Sequence, residues 1–159
     1  MDDLSLPTKI LQTARNTGAT LATAESCTGG LIAAALTEMP GSSDVFDRGF
    51  VTYSNAAKMT MLDVPAAMLD TYGAVSLPVA GAMATGALAH SDATISVSVT
   101  GIAGPGGSDH KPEGRVCFGL AKPGADPWCE TVEFGPLGRH AVRRASVQHA
   151  LKLLLQHLS

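Results

Sequence analysis

The chain has 159 residues, 45% of them apolar and 16% charged, with 17 glycines and 9 prolines, a composition that predicts one globular domain over residues 1–159 and excludes disordered, collagen-like and coiled-coil proteins. Its formal net charge of −3, from 11 basic and 14 acidic residues, provides no positive field that would attract nucleic acid. Its longest aliphatic run, residues 31–36, is far below the ~18 residues that suggest a membrane span, and its first residues lack a secretion signal, so we expect a cytoplasmic protein without membrane or nucleic-acid partners.

Helices and strands alternate in the first half of the chain. Ser5 and Ser54 are typical helix-capping residues, and an aromatic and β-branched run is typical of a strand. The predicted elements are a helix from Ser5 to Gly18, a strand at 20–24, a helix at 31–39, a strand at 46–53, and a helix that starts after Ser54 and carries Lys58.

The second half adds further strands and a long closing helix. Residues 93–100 alternate between apolar and polar side chains, which predicts a strand, and Ser76 is a helix cap. The predicted elements are a helical stretch ending at Gly73, a small-residue helix from Ser76 to about Ser91, strands at 93–100, 114–121 and 129–134, and a helix at 139–157. The last two strands are close enough in sequence to form a hairpin. We therefore expect an α/β fold in three layers, a mixed β-sheet flanked by helices on both faces.

The cysteine and histidine spacings give no sign of a metal site. The 3 cysteines are odd in number and form no CxxC pair, which argues against both a disulfide framework and structural zinc. The 5 histidines show neither HxH nor HExxH spacing. We therefore expect no metal and no other cofactor.

Ser26 is a candidate nucleophile. It lies where a predicted strand ends and a helix begins, a position at which backbone N–H groups can stabilise an oxyanion. The alternative is that its hydroxyl serves as a helix cap.

Cys27 is a rival candidate nucleophile, because a thiol at a helix start can have a lowered pKa. The alternative interpretation of Cys27 is a small buried hydrophobic residue. The chain has no GxSxG turn and no persuasive set of Ser, Asp and His in that order, so the sequence makes no case for an α/β-hydrolase triad.

Lys58 is a candidate general base. It lies in the first turns of a predicted helix, where the helix dipole disfavours a cation, and burial there would lower its pKa from the ordinary value of ~10.4. A decrease of roughly 2–3 in that pKa would give a usable base near pH 7. The alternative interpretation is a solvated surface lysine.

A glycine cluster and two arginines are candidate anion-binding groups. The cluster at 101–107 follows a predicted strand, so its backbone N–H groups can approach a phosphate, although it matches neither a P-loop nor a dinucleotide fingerprint and can be a plain turn. Arg139 and Arg143 lie one helical turn apart and can present both guanidinium groups to a phosphate or carboxylate. The alternative is a solvated basic face that includes Arg144.

Four glycine- or serine-containing motifs follow one another along the chain, namely AESCTGG at 24–30, GFVTYSNAAK at 49–58, YGAVS at 72–76 and TGIAGPGG at 100–107. In this order they closely resemble the CinA C-terminal domain family. The resemblance extends over nearly the whole chain, from the first helix to the segment that contains Arg139 and Arg143. It implies a nicotinamide-nucleotide amidase, which hydrolyses the carboxamide of nicotinamide mononucleotide to nicotinate mononucleotide and ammonia, without a metal, in pyridine-nucleotide salvage.

The resemblance also implies which residues are catalytic. The family's serine nucleophile falls on Ser26, its lysine on Lys58, its tyrosine on Tyr53 and a polar threonine of the site on Thr100. We expect neutral Lys58, helped by the Tyr53 hydroxyl, to remove the proton from Ser26 as the serine attacks the amide carbon.

The remaining site residues are expected to hold the oxyanion and the substrate phosphate. We expect the oxyanion to be held by the backbone N–H groups of the turn at Cys27, Thr28, Gly29 and Gly30, together with Thr100. For the phosphate we expect Gly101, Gly104, Gly106 and Gly107, with Arg139 first and Arg143 second. The order of the arginines is open because the preceding FGPLG at 134–138 departs from the family's GDRE-like spelling.

An alternative function is a non-catalytic module that senses a mononucleotide through the same glycines and arginines. The joint presence of Ser26, Tyr53 and Lys58 favours the amidase, because binding alone gives no reason for that trio. The helices rich in small residues make a homo-oligomer the expected assembly, with a small-molecule substrate as the expected partner.

Overall fold

The computed structural model describes residues 5–108 and 110–158. Their strands form one five-stranded sheet in the order β2-β1-β3-β4-β5. The elements are α1 (Leu6–Thr17), β1 (Leu21–Glu25), α2 (Leu31–Thr37), a short 3₁₀ turn (Ser42–Asp44), β2 (Phe46–Val51), α3 (Asn55–Leu62), α4 (Ala66–Tyr72), α5 (Leu77–Ala89), β3 (Ile95–Gly101), β4 (Arg115–Ala121), β5 (Trp128–Glu133) and α6 (Arg139–Leu158). Within these described ranges, a membrane-spanning helix is absent, since none combines the required length with sufficient apolar character.

The parallel part of the sheet brings several strand ends to one edge. β1 lies between β2 and β3 and runs parallel to both, with Glu25 opposite Val51 on one side and Val99 on the other. The carboxyl ends of these strands therefore lie together, which is where open α/β sheets bind ligands. β4 pairs antiparallel with β3 and forms the predicted hairpin with β5. The predicted α/β class with a mixed sheet is confirmed.

Helices cover both faces of the sheet, and each face has its own apolar core. On one face α1, α2 and α6 pack around buried residues such as Ile32, Phe118 and Leu154. On the other face α3, α4 and α5 enclose a smaller core that includes Leu62 and Met83. This arrangement gives the three layers that the sequence predicted.

Helix α5 approaches the sheet closely because small residues line both surfaces. Ser96 and Ser98 of β3 each donate a 2.6 Å hydrogen bond, to the carbonyl oxygens of Ala84 and Ala80 respectively. A Cβ atom at Gly119 of β4 would lie 2.5 Å from the Ala80 carbonyl oxygen, so only glycine fits there. This packing fixes the segment before α5 beside the carboxyl end of β3.

One predicted helix and one predicted strand each end two residues earlier than expected, and each early end has a local cause. The helix predicted at 31–39 ends at Thr37, because Pro40 disfavours helical geometry in the residue before it. The strand predicted at 46–53 ends at Val51, because the chain must turn before Ser54, whose side chain accepts a hydrogen bond from the Ala57 N–H and so caps α3.

Candidate active site

Ser26 lies directly after β1, in a tight turn that leads into α2. Its backbone N–H donates to the Val99 carbonyl oxygen over 3.0 Å, and its side chain is buried. The turn requires left-handed backbone at Gly29 and Gly30, with φ of 57° and 103°, a conformation that glycine adopts without strain. Ser26 is therefore held at the carboxyl edge of the sheet.

A buried carboxylate that the sequence analysis did not identify caps α2. Glu25 is 1% exposed, and its oxygens accept hydrogen bonds from the Thr28 hydroxyl at 2.7 Å and from the backbone N–H groups of Gly30, Ile32 and Ala33 at 2.9–3.2 Å. Gly30, the residue that caps α2, has no side chain for this task. An acidic side chain satisfies the amides of a helix start and interacts favourably with its dipole. Glu25 thus fixes the turn that carries Ser26.

Replacing Glu25 is expected to destabilise the protein. In Glu25→Gln, the side-chain NH2 group cannot accept a hydrogen bond, so at least one N–H at the start of α2 loses its protein acceptor, at a cost of about 1–3 kcal/mol in the free energy of unfolding. Urea denaturation measures the loss. Glu38→Gln, at an exposed residue just after the same helix, is the matched control and should be nearly neutral. Equal stability of the two variants would contradict the capping role.

Lys58 reaches the nucleophile from the first turns of α3. Its Nζ lies 3.0 Å from Ser26 Oγ and 3.1 Å from the Thr52 carbonyl oxygen, and the residue is 1% exposed. Burial lowers the pKa of the Lys58 ammonium below its ordinary value. No carboxylate in the described residues forms an ion pair with it. Burial therefore shifts Lys58 toward the neutral amine, the form that can accept the serine proton.

Burial of Lys58 has a measurable effect on stability. Because its pKa is lower in the folded than in the unfolded state, the unfolded chain binds the proton more tightly, and the free energy of unfolding must rise with pH between the two pKa values. The slope is at most about 1.4 kcal/mol per pH unit. We expect chemical denaturation at a series of pH values from 7 up to the ordinary lysine pKa of ~10.4 to show this rise, and Lys58→Met to lack it. Parallel pH curves for both proteins would contradict a lowered pKa.

Cys27 is not prepared for nucleophilic attack. Burial raises the pKa of its thiol to about 11, and the nearby Glu25 carboxylate adds to the increase, which the Cys27 backbone N–H and the Arg143 guanidinium oppose. A thiol with that pKa is protonated near pH 7, and thiolate is the reactive form. The structure therefore favours Ser26 over Cys27 as the nucleophile.

The predicted oxyanion donors are partly engaged elsewhere. The Gly29 N–H donates to the Ser26 carbonyl oxygen, and the Gly30 N–H and the Thr28 hydroxyl donate to Glu25. Among the described residues, the Cys27 backbone N–H faces only the sulfur of its own side chain, and the Thr28 backbone N–H has no acceptor. These two amides, which directly follow the nucleophile, therefore remain as the candidate oxyanion donors.

An open cavity of about 210 Å³ lies over Ser26 and Lys58. The predicted residues Cys27, Tyr53, Thr100, Gly101 and Arg139 also line it. The sequence analysis missed the remaining lining residues, which are Asn55, Ala74, Val75, Ile102, Ala103 and Ser108. The YGAVS motif was the available signal for Ala74 and Val75, and the Thr100 hydroxyl holds that wall by donating to the Ala74 carbonyl oxygen at 2.9 Å.

Tyr53 contacts an arginine rather than the lysine. Its hydroxyl accepts a 2.6 Å hydrogen bond from Arg139 Nη2, while Arg139 Nη1 donates to the Gly104 carbonyl oxygen at 2.8 Å. The described residues include no hydrogen bond between Tyr53 and Lys58. The expected help of Tyr53 in deprotonating Ser26 is therefore not supported by the geometry, which makes Tyr53 a neighbour of Arg139 on the cavity rim.

Arg143 stabilises the nucleophile turn and does not line the cavity. Its guanidinium donates to the carbonyl oxygens of Cys27 at 3.0 Å and Thr28 at 3.4 Å. Arg139 does line the cavity. Of the two arginines whose order the sequence left open, the geometry therefore favours Arg139 as the one that can reach a substrate in this cavity.

The glycine cluster contributes less to the cavity than expected. Gly101 lines it, whereas Gly104, Gly106 and Gly107 do not. The Gly106 N–H already donates to Glu113 at 2.7 Å, and a Cβ at Gly107 would lie 2.4 Å from the Lys111 carbonyl oxygen. These glycines permit a tightly folded loop, and the structure gives no support to an open phosphate site at Gly106 and Gly107.

A larger cavity of about 560 Å³ lies elsewhere, over the outer surface of α5. Its lining is mostly aliphatic and includes Leu62, Met68 and Leu77. It contains neither Ser26 nor Lys58, so the smaller cavity is the candidate active site.

Comparison with known proteins agrees with the motifs. The family model described as "CinA C-terminal domain" matches residues 3–158. The chain belongs to the CinA C-terminal domain family. Its fold is similar to that of the competence/damage inducible protein CihA from Agrobacterium tumefaciens, with 46% identity, a TM-score of 0.92 and 98% of each chain covered. A CinA superfamily protein from Klebsiella pneumoniae is similar at 36% identity and a TM-score of 0.91, over 96% of this chain and 95% of that one.

Longer CinA proteins also match this domain. A putative competence-damage inducible protein from Symbiobacterium thermophilum is 47% identical over 99% of this chain, and a CinA-like protein from Synechococcus sp. (strain CC9902) is 48% identical over 96% of it. The chain spans 39% of the length of the first and 37% of the second. The similarity therefore concerns the CinA domain of these relatives.

Proposed function

We propose that this protein hydrolyses the carboxamide of nicotinamide mononucleotide, giving nicotinate mononucleotide and ammonia in pyridine-nucleotide salvage. The observation that carries the proposal is the 3.0 Å distance between Ser26 Oγ and Lys58 Nζ. Lys58 is buried and has no carboxylate partner in the described residues, and both side chains line a cavity at the carboxyl edge of the sheet. A serine beside a neutral amine is a nucleophile with its base. The CinA resemblance supplies the substrate.

The mechanism requires Lys58 to act first as a general base and then as a general acid. Neutral Lys58 takes the proton of Ser26 as Oγ forms a bond to the amide carbon, and the backbone N–H groups of Cys27 and Thr28 hold the oxyanion. The Lys58 ammonium then gives its proton to the leaving nitrogen, the C–N bond breaks, and ammonia departs. Lys58 next takes a proton from water, which attacks the ester, and nicotinate mononucleotide is released as Ser26 recovers its hydrogen.

The cavity suits a cationic ring that carries a phosphate. Its described lining residues include no basic side chain besides Lys58 and Arg139, and the neutral form of Lys58 avoids repulsion of the pyridinium. Arg139 is exposed at the rim of the cavity, where its guanidinium can bind a phosphate. We therefore place the ring over Ser26 and the phosphate near Arg139.

A coupled ammonia assay tests the proposal. Wild-type protein is expected to release ammonia from nicotinamide mononucleotide with saturation, and nicotinamide riboside, which lacks the phosphate, is expected to have a higher KM. Saturable binding of the mononucleotide without ammonia release would instead favour the mononucleotide-sensing module. Absence of both binding and ammonia release would reject the proposed substrate.

A further inference from the structure

We propose that Glu113 is a positioning residue, which orients Arg139 for the phosphate of the substrate by joining two loops. This inference rests on the proposed substrate. The Glu113 carboxylate accepts a 2.7 Å hydrogen bond from the Gly106 N–H and a 2.8 Å hydrogen bond from the Gly138 N–H. Gly106 belongs to the loop after β3, and Gly138 directly precedes Arg139 at the start of α6. One side chain thus holds together two segments that border the cavity.

Arg139 closes a ring of contacts with the same loop. Its guanidinium donates to the Gly104 carbonyl oxygen at 2.8 Å and to the Tyr53 hydroxyl at 2.6 Å. Gly104 has φ of 90°, and a Cβ atom there would lie 2.6 Å from the carboxyl carbon of Glu113, so the glutamate packs directly on this glycine. Glu113 therefore fixes both the residue before Arg139 and the loop that Arg139 contacts.

The position of this carboxylate also bears on how the substrate phosphate is held. Glu113 accepts the hydrogen bond of the Gly106 N–H, which the sequence predicted would donate to the phosphate. The negative charge of Glu113 also disfavours a second anion at the same place. The guanidinium of Arg139 remains at the cavity as the group that suits a phosphate. Preference for the nucleotide over the riboside should accordingly depend on Arg139 and, through it, on Glu113.

Calorimetric binding to Ser26→Ala protein tests the inference without requiring turnover. Glu113→Gln keeps one acceptor oxygen, but its amino group cannot accept from the second N–H, so Arg139 loses its fixed position. We expect affinity for nicotinamide mononucleotide to fall about tenfold, which corresponds to ~1.4 kcal/mol, while affinity for nicotinamide riboside changes less than about twofold. Glu133→Gln, which removes an exposed carboxylate paired with Arg115, is the matched control and should change neither.

A double-mutant cycle shows whether Glu113 acts through Arg139. In an Arg139→Ala background, Glu113→Gln is expected to have no further effect on mononucleotide affinity. If Glu113→Gln unfolds the protein, Glu113→Asp, which keeps the charge with a shorter reach, is expected to give a smaller selective loss. Equal losses for both ligands, an unchanged mononucleotide affinity, or a loss that persists without Arg139 would overturn the inference. Failure of the amidase proposal would show separately, as intact mononucleotide binding by wild-type protein without ammonia release.

Discussion

Ser26→Ala is expected to lower ammonia release from nicotinamide mononucleotide by about 10⁴-fold or more, the loss seen when a serine nucleophile is removed. The reason is that Oγ forms the bond to the amide carbon and no other hydroxyl lies as close to Lys58 Nζ among the described contacts. The variant should bind the mononucleotide with nearly unchanged affinity, because the cavity and Arg139 are retained. Turnover is measured by ammonia release and binding by calorimetry.

Cys27→Ala is the matched control for the nucleophile. The Cys27 thiol has a pKa of about 11 and is protonated near pH 7, so its removal should leave most of the turnover intact. The opposite pattern, with an active Ser26→Ala and an inactive Cys27→Ala, would assign the nucleophile to the thiol and refute the proposed chemistry.

Lys58→Met is expected to reduce turnover by a factor of about 10²–10⁴, the usual contribution of a general base. In wild-type protein, only the neutral amine accepts the serine proton, so kcat/KM should be low when Lys58 is protonated and should rise as pH increases through its lowered pKa. The midpoint of this rise should lie below the ordinary lysine pKa of ~10.4. The dependence of kcat/KM on pH is measured from rates of ammonia release between pH 5 and pH 10, at intervals of about half a pH unit.

Lys58→Arg is the control that separates basicity from charge. Arginine keeps a cation near Ser26 but is protonated at all of these pH values, so it cannot serve as the base. We expect this variant to be as inactive as Lys58→Met. Activity retained in Lys58→Arg, or a wild-type rate that falls with rising pH, would mean that the cationic form is the one required.

Local signals in the sequence were sufficient for most of the fold. Ser5, Ser54 and Ser76 were predicted as helix caps, and each side chain does accept a hydrogen bond from the backbone N–H three residues later. The alternation at 93–100 predicted β3, which the structure has at Ile95–Gly101. Capping and alternation act within a few residues, which is why the sequence alone reveals them.

The contacts that decide the site act over longer distances. Tyr53 and Arg139 are 86 residues apart, and no local pattern indicates that they bond to each other rather than to Lys58. The same holds for Arg143, which contacts the turn at Cys27 from a helix 116 residues away. Motif comparison could place these residues near one another, but the partners of each polar atom depend on packing.

Two glutamates show a second reason why part of the site escaped prediction. Glu25 and Glu113 satisfy backbone N–H groups that the sequence analysis reserved for substrate oxyanion and phosphate. A glycine-rich turn indicates that amides are accessible, but it does not show whether another side chain already accepts from them. Only the folded structure shows that Glu25 is buried beside the nucleophile and accepts hydrogen bonds from that turn.

The most direct test of the account is identification of the covalent intermediate. Wild-type protein mixed with nicotinamide mononucleotide is quenched in acid within milliseconds, digested, and analysed by mass spectrometry of the peptide that carries residues 24–30, with Cys27→Ala protein in parallel. The account predicts a nicotinate-mononucleotide ester on Ser26 in both proteins. An adduct that disappears in Cys27→Ala, or ammonia release without any adduct on this peptide, would contradict it.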